Sequence, residues 1–315
     1  MFIVLAVFLA FILLVAISSL VKADRLMKED GEPISPYATN RFTSFRSVGF
    51  TSSKGQIRLK GWLIETRTTP PRATVIIVHQ QGGNRLPYGL PTTSLYSQLV
   101  KAGFQILAFD LRHSGESGGE MSSFGYAEAE DVRTALEWTI RNTPNAPIIL
   151  YGFSSGTTAI FRMMEQLEQE VERELEEEHQ GNDTVTLSSL SASDIKNRIN
   201  AVIVDSPARS SDDFIKATIR QDQNRWLFWL ENTTPYTVRL SVGNSKKSDY
   251  FAAFTTLTLP VMIFGHETDH VLSETAYRPM VEERMRIHPA WTSFYEARGS
   301  GHLSSYEENP EGYTE

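Results

Sequence analysis

The sequence lacks cysteine entirely. Disulfide bridges, thiolate zinc sites, iron–sulfur clusters and a cysteine nucleophile are therefore excluded. It also lacks any cluster of lysine and arginine that would mark a nucleic-acid-binding surface, so we expect no nucleic-acid partner. The 315 residues are 41% hydrophobic and 22% charged. This composition excludes a disordered, collagen-like or coiled-coil chain and leaves one large domain or two small ones.

The net charge of −8 comes almost wholly from one segment. Residues 165–178 contain eight glutamates and one arginine. Apolar residues recur here at helical spacing, which predicts a helix with one packed side and one solvated, acidic side. These apolar residues are Ile160, Met163, Met164, Leu167, Val171 and Leu175. We interpret the glutamates as a solvated helix face and not as a cation site.

The first 21 residues carry no charged side chain. An apolar run of about 20 residues can cross the ~30 Å hydrocarbon core of a bilayer, which predicts a single-pass anchor in the cell membrane. A cleaved signal peptide is the alternative, because Ala16-Ile17-Ser18 resembles a cleavage site, although no basic region precedes the apolar run. Lys22, Arg25 and Lys28 follow the run, but their bias is too small to assign the side of the membrane.

The remaining chain divides by composition. Residues 22–44 mix charge, proline and serine, which predicts a stalk, and one folded domain is expected over residues 45–315. Within that domain the polar segment Gln180–Asp194 predicts a loop or a disordered insertion.

Short apolar runs alternate with amphipathic stretches through the folded domain, and this alternation predicts an α/β fold with a mostly parallel sheet flanked by helices. The predicted strands are Phe45–Thr51, Ile57–Glu65, Thr74–His79, Gln105–Asp110, Pro147–Tyr151, Ala201–Asp205, Pro260–Phe264 and Trp291–Ala297. The predicted helices are Thr92–Ala102, Ala127–Arg141, Thr157–His179 and Ser273–Ile287. Ligands bind outside the carboxyl ends of the strands in such sheets, so the chemistry is expected just after each apolar run.

A G-x-S-x-G motif, residues 152–156, lies between a predicted strand and a predicted helix. This context suits a nucleophile on a tight turn, where the two glycines relieve backbone crowding around Ser154. The start of the following helix places backbone N–H groups where negative charge would develop. The spacing selects Ser154 as the catalytic nucleophile over the adjacent Ser155.

A serine nucleophile needs a base, and the base needs an orienting carboxylate. His302 follows a predicted strand in a loop of small residues, and Asp269 follows another, with Glu267 as the alternative carboxylate. The chain order Ser154, Asp269, His302 agrees with one known arrangement of the catalytic triad. His266 and His270 flank the acid loop and are expected to support it. We interpret the other histidines as structural or surface residues: His79, His113, His179 and His288.

An oxyanion hole requires two N–H donors. The residue after the nucleophile, Ser155, is expected to provide one. The glycine-rich segment at residues 79–85 follows the first buried strand, and we select the Gln81 N–H from it as the second. A simple glycine-rich turn is the alternative interpretation of this segment.

These residues resemble the α/β-hydrolase superfamily over about residues 45 to 306. Further similar segments are Phe109–Gly118, Phe124-Gly125-Tyr126 with Glu128, Asp131 and Trp138, and Asp205-Ser206-Pro207. They are most similar to the serine-aminopeptidase-like (S33-type) and prolyl-peptidase-like branches, and in particular to bacterial membrane-anchored hydrolases. The resemblance implies esterase, lipase or peptidase activity without a metal or an organic cofactor. It also implies a helical cap at about residues 208–258, in which residues 226–230 either wall the acyl site, dip into the membrane, or simply pack. We favour packing.

The sequence departs from the family pattern at three places. Gln80 and His113 stand where glycine is usual, and the chain offers only Asn309–Tyr313 for the last helix, which is therefore either very short or truncated. The predicted function is that of a serine hydrolase that cleaves an ester or amide bond of a small-molecule or peptide acyl substrate. The alternative is a non-catalytic, membrane-anchored scaffold or binding protein.

Overall fold

A computed structural model of the protein describes residues 1–52, 56–144, 146–179, 190–221, 227–244 and 246–314. Its centre is an eight-stranded sheet with the order β1-β2-β4-β3-β5-β6-β7-β8. The strands are β1 (Phe45–Thr51), β2 (Arg58–Ile64), β3 (Thr74–Val78), β4 (Gln105–Phe109), β5 (Ile148–Phe153), β6 (Ile199–Asp205), β7 (Val261–Thr268) and β8 (Thr292–Ser300). Only β2 pairs antiparallel, with β1 and with β4, and every other neighbouring pair among the described strands is parallel.

The described residues also form α-helices that precede, connect and follow these strands. They are α1 (Phe2–Met27), α2 (Thr92–Lys101), α3 (Glu128–Asn142), α4 (Ser155–His179), α5 (Ala192–Asn197), α6 (Ser211–Gln221), α7 (Leu230–Ser241), α8 (Phe251–Thr255), α9 (Glu274–Ile287), α10 (Ser305–Glu308) and α11 (Pro310–Thr314). Residues of α3, α4 and α9 build the core on one face, and residues of α2, α10 and α11 build it on the other. The predicted α/β fold with a mostly parallel sheet flanked by helices is therefore confirmed.

The helix with the acidic face, α4, differs from the prediction at its far end. Its first half is buried through Leu167, whereas Leu175, which we expected to pack, is 47% exposed. Near this end the helix contacts α5 through its polar side, where Glu174 accepts from the backbone N–H groups of Ala192 and Ser193. The predicted loop Gln180–Asp194 also differs, because Ala192–Asn197 forms α5, with Ser191 capping its first turn. The first ten residues of that predicted loop lie outside the described residues.

Three helices, α6, α7 and α8, occupy the region between β6 and β7 in which a cap was expected. A third apolar cluster joins α6 and α7 to the C-terminal end of α1, through Phe214, Val238 and Met27. Trp226 lies outside the described residues. Of the rest of the aromatic segment, Leu230 is buried, whereas Phe228, which we expected to pack, is 74% exposed.

The N-terminal helix α1 is long and apolar enough to cross a membrane, with a mean hydropathy of 3.0 over its most apolar stretch. A signal sequence meets the same criterion. The helix continues six residues past the predicted end of the anchor, and its last turns are buried at Ala23, Leu26 and Met27. The segment predicted to be a stalk also contacts the folded domain, because Glu32 N–H donates to the Gly82 carbonyl at 2.8 Å. The charge and proline content of residues 22–44 gave no indication of this packing.

Candidate active site

Ser154 lies on the turn between β5 and α4 with a φ of +47°, in the left-handed region that few non-glycine residues adopt. The turn is held from both sides. The N–H of Ser154 donates to the Asp205 carbonyl at 2.8 Å, and the carbonyl of Ser154 accepts from Thr157 N–H at 2.9 Å. These bonds keep the strained turn in place and raise the serine above the carboxyl ends of β5 and β6.

Steric crowding explains why both outer positions of the motif are glycine. A Cβ on Gly156 would lie 2.2 Å from the Val78 carbonyl oxygen, and a Cβ on Gly152 would lie 2.8 Å from Ile160 Cδ1. Neither position has room for a side chain, because strand, turn and helix pass so close to one another. The expected relief of backbone crowding is therefore present on both sides of Ser154.

The structure brings the three residues predicted to form a triad together. Ser154 Oγ and His302 Nε2 are 2.8 Å apart, and His302 Nδ1 and Asp269 Oδ2 are 2.7 Å apart. Both partners are shielded, with the His302 side chain 9% and the Asp269 side chain 3% exposed. The other carboxylate oxygen of Asp269 accepts from two backbone N–H groups, those of Val271 and Leu272, at 2.7 and 2.8 Å. Asp269 is thus oriented by its own loop, and it orients the imidazole in turn.

The alternative carboxylate, Glu267, is exposed and faces away from the imidazole, where it accepts from Gly299 N–H at 3.4 Å. Of the two flanking histidines, His266 is buried and lies 3.0 Å from Ser305 Oγ, which ties β7 to α10. His270 is exposed. The ring of Phe214 in α6 meets the His302 ring edge to face at 6.1 Å, so the cap forms one wall of this site.

The two predicted oxyanion donors are neighbours. Gln81 N–H donates to Ser155 Oγ at 2.7 Å, which holds the segment after β3 over the first turn of α4. Gln80, which replaces the usual glycine, does not have a positive φ, so its side chain adds no backbone strain. Its amide donates to the Pro87 carbonyl at 3.2 Å and covers Gly83. Gln80 therefore fits the loop without a change of backbone conformation.

His79 begins this segment and is fully buried. Leu111 N–H donates to its Nε2 at 2.9 Å, so Nδ1 carries the proton and donates to the Gln80 carbonyl at 2.8 Å. Burial lowers the pKa of His79 below its ordinary value, since the charged ring would lose solvation. The neutral imidazole thus bonds to the Gln80 carbonyl and to Leu111, two residues after β4, in agreement with its interpretation as a structural residue.

The Gln81 side chain contacts the N-terminal helix, a relationship that no local sequence pattern predicts. Its amide nitrogen lies 3.4 Å from the Leu26 carbonyl and also bonds to Ser122 Oγ, while its amide oxygen accepts from Phe124 N–H at 3.1 Å. Ser122 N–H in turn donates to the Met27 carbonyl at 2.8 Å. The end of α1 therefore lies one contact from a predicted oxyanion donor.

The segment Phe109–Gly118 supports the same loop through buried ion pairs. Asp110 accepts from the Arg85 backbone N–H at 2.9 Å and pairs with its guanidinium, which stacks 4.6 Å from the Trp62 ring. Arg112 pairs with Asp131 of α3 at 2.7 Å. The other departure, His113, has a φ of +54°, which explains why glycine is usual there. Residues 109–118 therefore link the glycine-rich segment at residues 79–85 to the sheet and to α3.

The last helix also contributes to the site. Tyr313 of α11 stacks on Phe264 at 3.8 Å, and its hydroxyl donates to Asp205 Oδ2 at 2.7 Å. The residues expected to form the last helix do so over five residues, Pro310–Thr314. Among the described residues there is no cluster of three or more histidine, aspartate or glutamate side chains that could hold a metal ion.

Comparison with known proteins gives one family and several similar folds. The model of the alpha/beta hydrolase family matches residues 75–315. The esterase Pf2001 of Pyrococcus furiosus has a similar fold, with a TM-score of 0.64 and 18% identity over 91% of this chain and 94% of that chain. So does an alpha-beta hydrolase of Vibrio vulnificus, with a TM-score of 0.57 and 15% identity over 92% and 87%. The esterase domain of a Rhodothermus marinus protein is similar with a TM-score of 0.51 and 15% identity over 86% and 95%. No curated protein sequence gives a significant match.

Proposed function

We propose that this chain, which belongs to the alpha/beta hydrolase family, is a serine hydrolase that cleaves an ester or amide bond through an acyl-enzyme on Ser154. One observation carries the proposal. An unbroken row of hydrogen bonds runs from Ser154 Oγ through the His302 ring to Asp269, with distances of 2.8 and 2.7 Å. This is the contact through which a base can take the proton of a serine hydroxyl.

The proposed reaction follows from these positions. Ser154 Oγ attacks the carbonyl carbon while His302 Nε2 accepts its proton, and Asp269 stabilises the imidazolium. The N–H of Ser155 stabilises the oxyanion together with the N–H of Gln81, which exchanges its bond to Ser155 Oγ for one to the substrate oxygen. His302 then donates the proton to the leaving group, which departs and leaves the acyl group on Ser154. A water molecule, deprotonated by the same histidine, releases the acid and restores the serine. None of these steps calls for a metal or an organic cofactor.

An ester is the favoured substrate over a peptide, because similar folds belong to esterases of Pyrococcus furiosus and Rhodothermus marinus. The serine-aminopeptidase-like or prolyl-peptidase-like branch rests on the segments quoted above from the sequence. The protein is proposed to stay attached to the cell membrane through α1, with the side of the membrane unassigned. Extraction of membranes with alkaline carbonate tests this attachment, and release with a new N-terminus near Ser19 would identify a signal peptide instead.

A fluorophosphonate probe tests the nucleophile directly. We expect the wild-type protein to be labelled and Ser154→Ala to remain unlabelled. Ser155→Ala is the matched variant, and we expect it to keep labelling because its backbone N–H is retained and the Gln81 N–H loses only its bond to Ser155 Oγ. Hydrolysis of a p-nitrophenyl ester is measured on the same samples. Labelling of Ser154→Ala at the wild-type level would refute the assignment, and absence of labelling in every variant would favour the scaffold alternative.

A further inference from the structure

The helix α7 carries an exposed apolar stripe beside α1. Tyr236 and Leu240 are both 49% exposed and lie on one side of α7 because they are four residues apart, and Phe228, in the turn before α7, is 74% exposed. Few large apolar side chains are so exposed outside α1 among the described residues. Contiguous apolar surface of this kind marks a contact with another apolar phase.

The stripe is continuous with the apolar helix. A groove of about 840 Å³ separates α1 from α7, and none of the side chains that line it is charged. Its α1 wall consists of residues between Phe11 and Leu20, which belong to the uncharged run proposed as the anchor. Both charged residues of α7 are paired: Arg239 is buried against Asp212, with its guanidinium 5.6 Å from the Tyr236 ring, and Glu231 pairs with Arg220. Stripe, groove and anchor therefore form one uncharged surface.

Two direct side-chain hydrogen bonds join α1 to α7 and to the residue before it. Ser19 Oγ and Thr233 Oγ1 are 2.6 Å apart, and Trp229 Nε1 donates to Ser18 Oγ at 2.9 Å. The Trp229 ring also packs edge to face on Phe11 at 5.7 Å. Paired hydroxyls between helices, with tryptophan and tyrosine at the border, are typical of protein surface that lies in a bilayer and at its interface.

We propose that α7 is an interfacial membrane helix: its apolar stripe and the adjoining groove contact the acyl chains of the leaflet that α1 enters. The cap, and not only the anchor, would then contact lipid. This depends on the proposed attachment through α1 but not on the proposed chemistry. Phe214 of α6 lies between α7 and His302, because it shares the apolar cluster with Val238 and meets the imidazole ring. The membrane-facing side of the cap is thus one helix away from the proposed site.

The absence of cysteine makes a direct test available, since a single introduced cysteine can be labelled without background. Tyr236→Cys and Leu240→Cys report on the stripe, and Leu9→Cys reports on the exposed part of α1. Leu175→Cys is the matched control, because Leu175 is 47% exposed but lies on the acidic helix α4. Each full-length variant carries an environment-sensitive fluorophore and is reconstituted into phosphatidylcholine vesicles, with or without lipids that carry a nitroxide on the acyl chain.

We expect the nitroxide lipids to quench the labels at residues 9, 236 and 240 at least threefold more than the label at residue 175. Quenching at residue 9 without quenching at 236 and 240 would overturn the proposal and leave the anchor intact. Absence of quenching at residue 9 as well would overturn both the attachment and this proposal. Disulfide formation between residues 236 of two copies, without lipid quenching, would assign the stripe to a second copy of the chain and also overturn the proposal.

Discussion

The Gln81 side chain and the Leu26 carbonyl, which are 55 positions apart in sequence, lie 3.4 Å apart in the structure. Gln81 provides one of the two N–H groups proposed to stabilise the oxyanion, and Leu26 belongs to the last turn of the apolar helix. The contact is reinforced one residue further along the loop, where Gly82 accepts from Glu32 N–H at 2.8 Å. The base of the anchor therefore restrains the loop on which the proposed chemistry depends.

We expect Gln81→Met to lower kcat with little change in KM. Methionine fills similar space but loses the bonds to Leu26, Ser122 and Phe124 while keeping the backbone N–H. A donor that is free to move stabilises an oxyanion less well, and losing one donor altogether costs about 10²–10³ in kcat, so a loss of about tenfold to 10²-fold is expected. Steady-state kinetics on a p-nitrophenyl ester measure it, with Gln98→Met on the exposed side of α2 as the control.

Gly31→Val tests the same restraint from the anchor side. A Cβ at residue 31 would lie 3.1 Å from the Gly83 carbonyl oxygen and 3.3 Å from that of Gly82, so valine has to displace the loop. We expect a similar loss of kcat. Deletion of residues 1–18 leaves the buried end of α1 in place, and this variant is expected to retain catalysis in detergent. Wild-type kcat in both Gln81→Met and Gly31→Val would show that the restraint has no catalytic effect.

Asp269 and Glu267 lie in the same loop and differ in their partners, which makes them a matched pair. We expect Asp269→Asn to lower kcat by about 10²–10⁴, because an amide at this position favours the wrong tautomer of His302. Glu267 accepts from Gly299 N–H and does not bond to His302, so the kcat of Glu267→Gln should stay within about threefold of wild type. Ester hydrolysis at fixed pH compares the two variants. Equal losses of kcat in both variants would mean that the conformation of the loop, and not the carboxylate beside His302, determines the rate.

The sequence indicated the centres of the strands and helices better than their ends. All eight strands were predicted, five of them from short apolar runs, yet β6 begins two residues earlier and β7 ends four residues later than predicted. Strand ends depend on pairing partners, and β7 continues because it pairs with β8 as far as Thr268 and Ser300. The residues proposed as the triad were identifiable because each follows a strand, and parallel strands bring their carboxyl ends to one edge.

The contacts of the N-terminal segment could not be predicted in the same way. Residues 22–44 have the composition of a linker, and the partners that hold them, Gly82, Ser122 and Phe214, are distant in sequence. The contacts of α6 and α7 are a similar case, because these helices have mixed polarity and pack on each other and on the distant end of α1. Long-range pairing of this kind leaves no period in the sequence.

A pH-dependent stability is expected from His79. The unfolded chain protonates this ring near pH ~6.5, whereas burial lowers its pKa in the folded protein. Between these two values the unfolded state binds more protons, so the free energy of unfolding falls as the pH decreases. His79→Gln keeps an acceptor for Leu111 N–H but does not titrate.

We expect the melting temperature of His79→Gln to be lower than that of wild type at pH 7, and the difference to shrink at pH 5. Thermal unfolding of the full-length protein in detergent measures this, and His179→Gln, at the exposed end of α4, is the control that should leave the pH dependence unchanged. A difference between His79→Gln and wild type that stays constant from pH 7 to pH 5 would contradict the neutral, buried imidazole.

Tyr313→Phe provides a last prediction with the opposite pH dependence. The pKa of Asp205 is raised by burial, while hydroxyl donors, among them Tyr88 and Tyr313, oppose the rise. Removing the Tyr313 hydroxyl leaves the carboxylate less well satisfied, which costs about 1–3 kcal/mol when Asp205 is charged. It also raises the pKa of Asp205 further, so the folded variant binds a proton more readily than the unfolded chain. Its free energy of unfolding therefore falls as the pH rises through the window above the ordinary aspartate pKa of ~3.9.

We expect Tyr313→Phe to be more destabilising at pH 8 than at pH 5, as measured by denaturant unfolding of the full-length protein in detergent. Tyr295→Phe is the control, because Tyr295 bonds to Asn309 and the same loss of a hydroxyl there should cost equally at both pH values. If Tyr313→Phe also lowers the free energy of unfolding by the same amount at pH 5 and pH 8, the hydroxyl does not stabilise the charged form of Asp205.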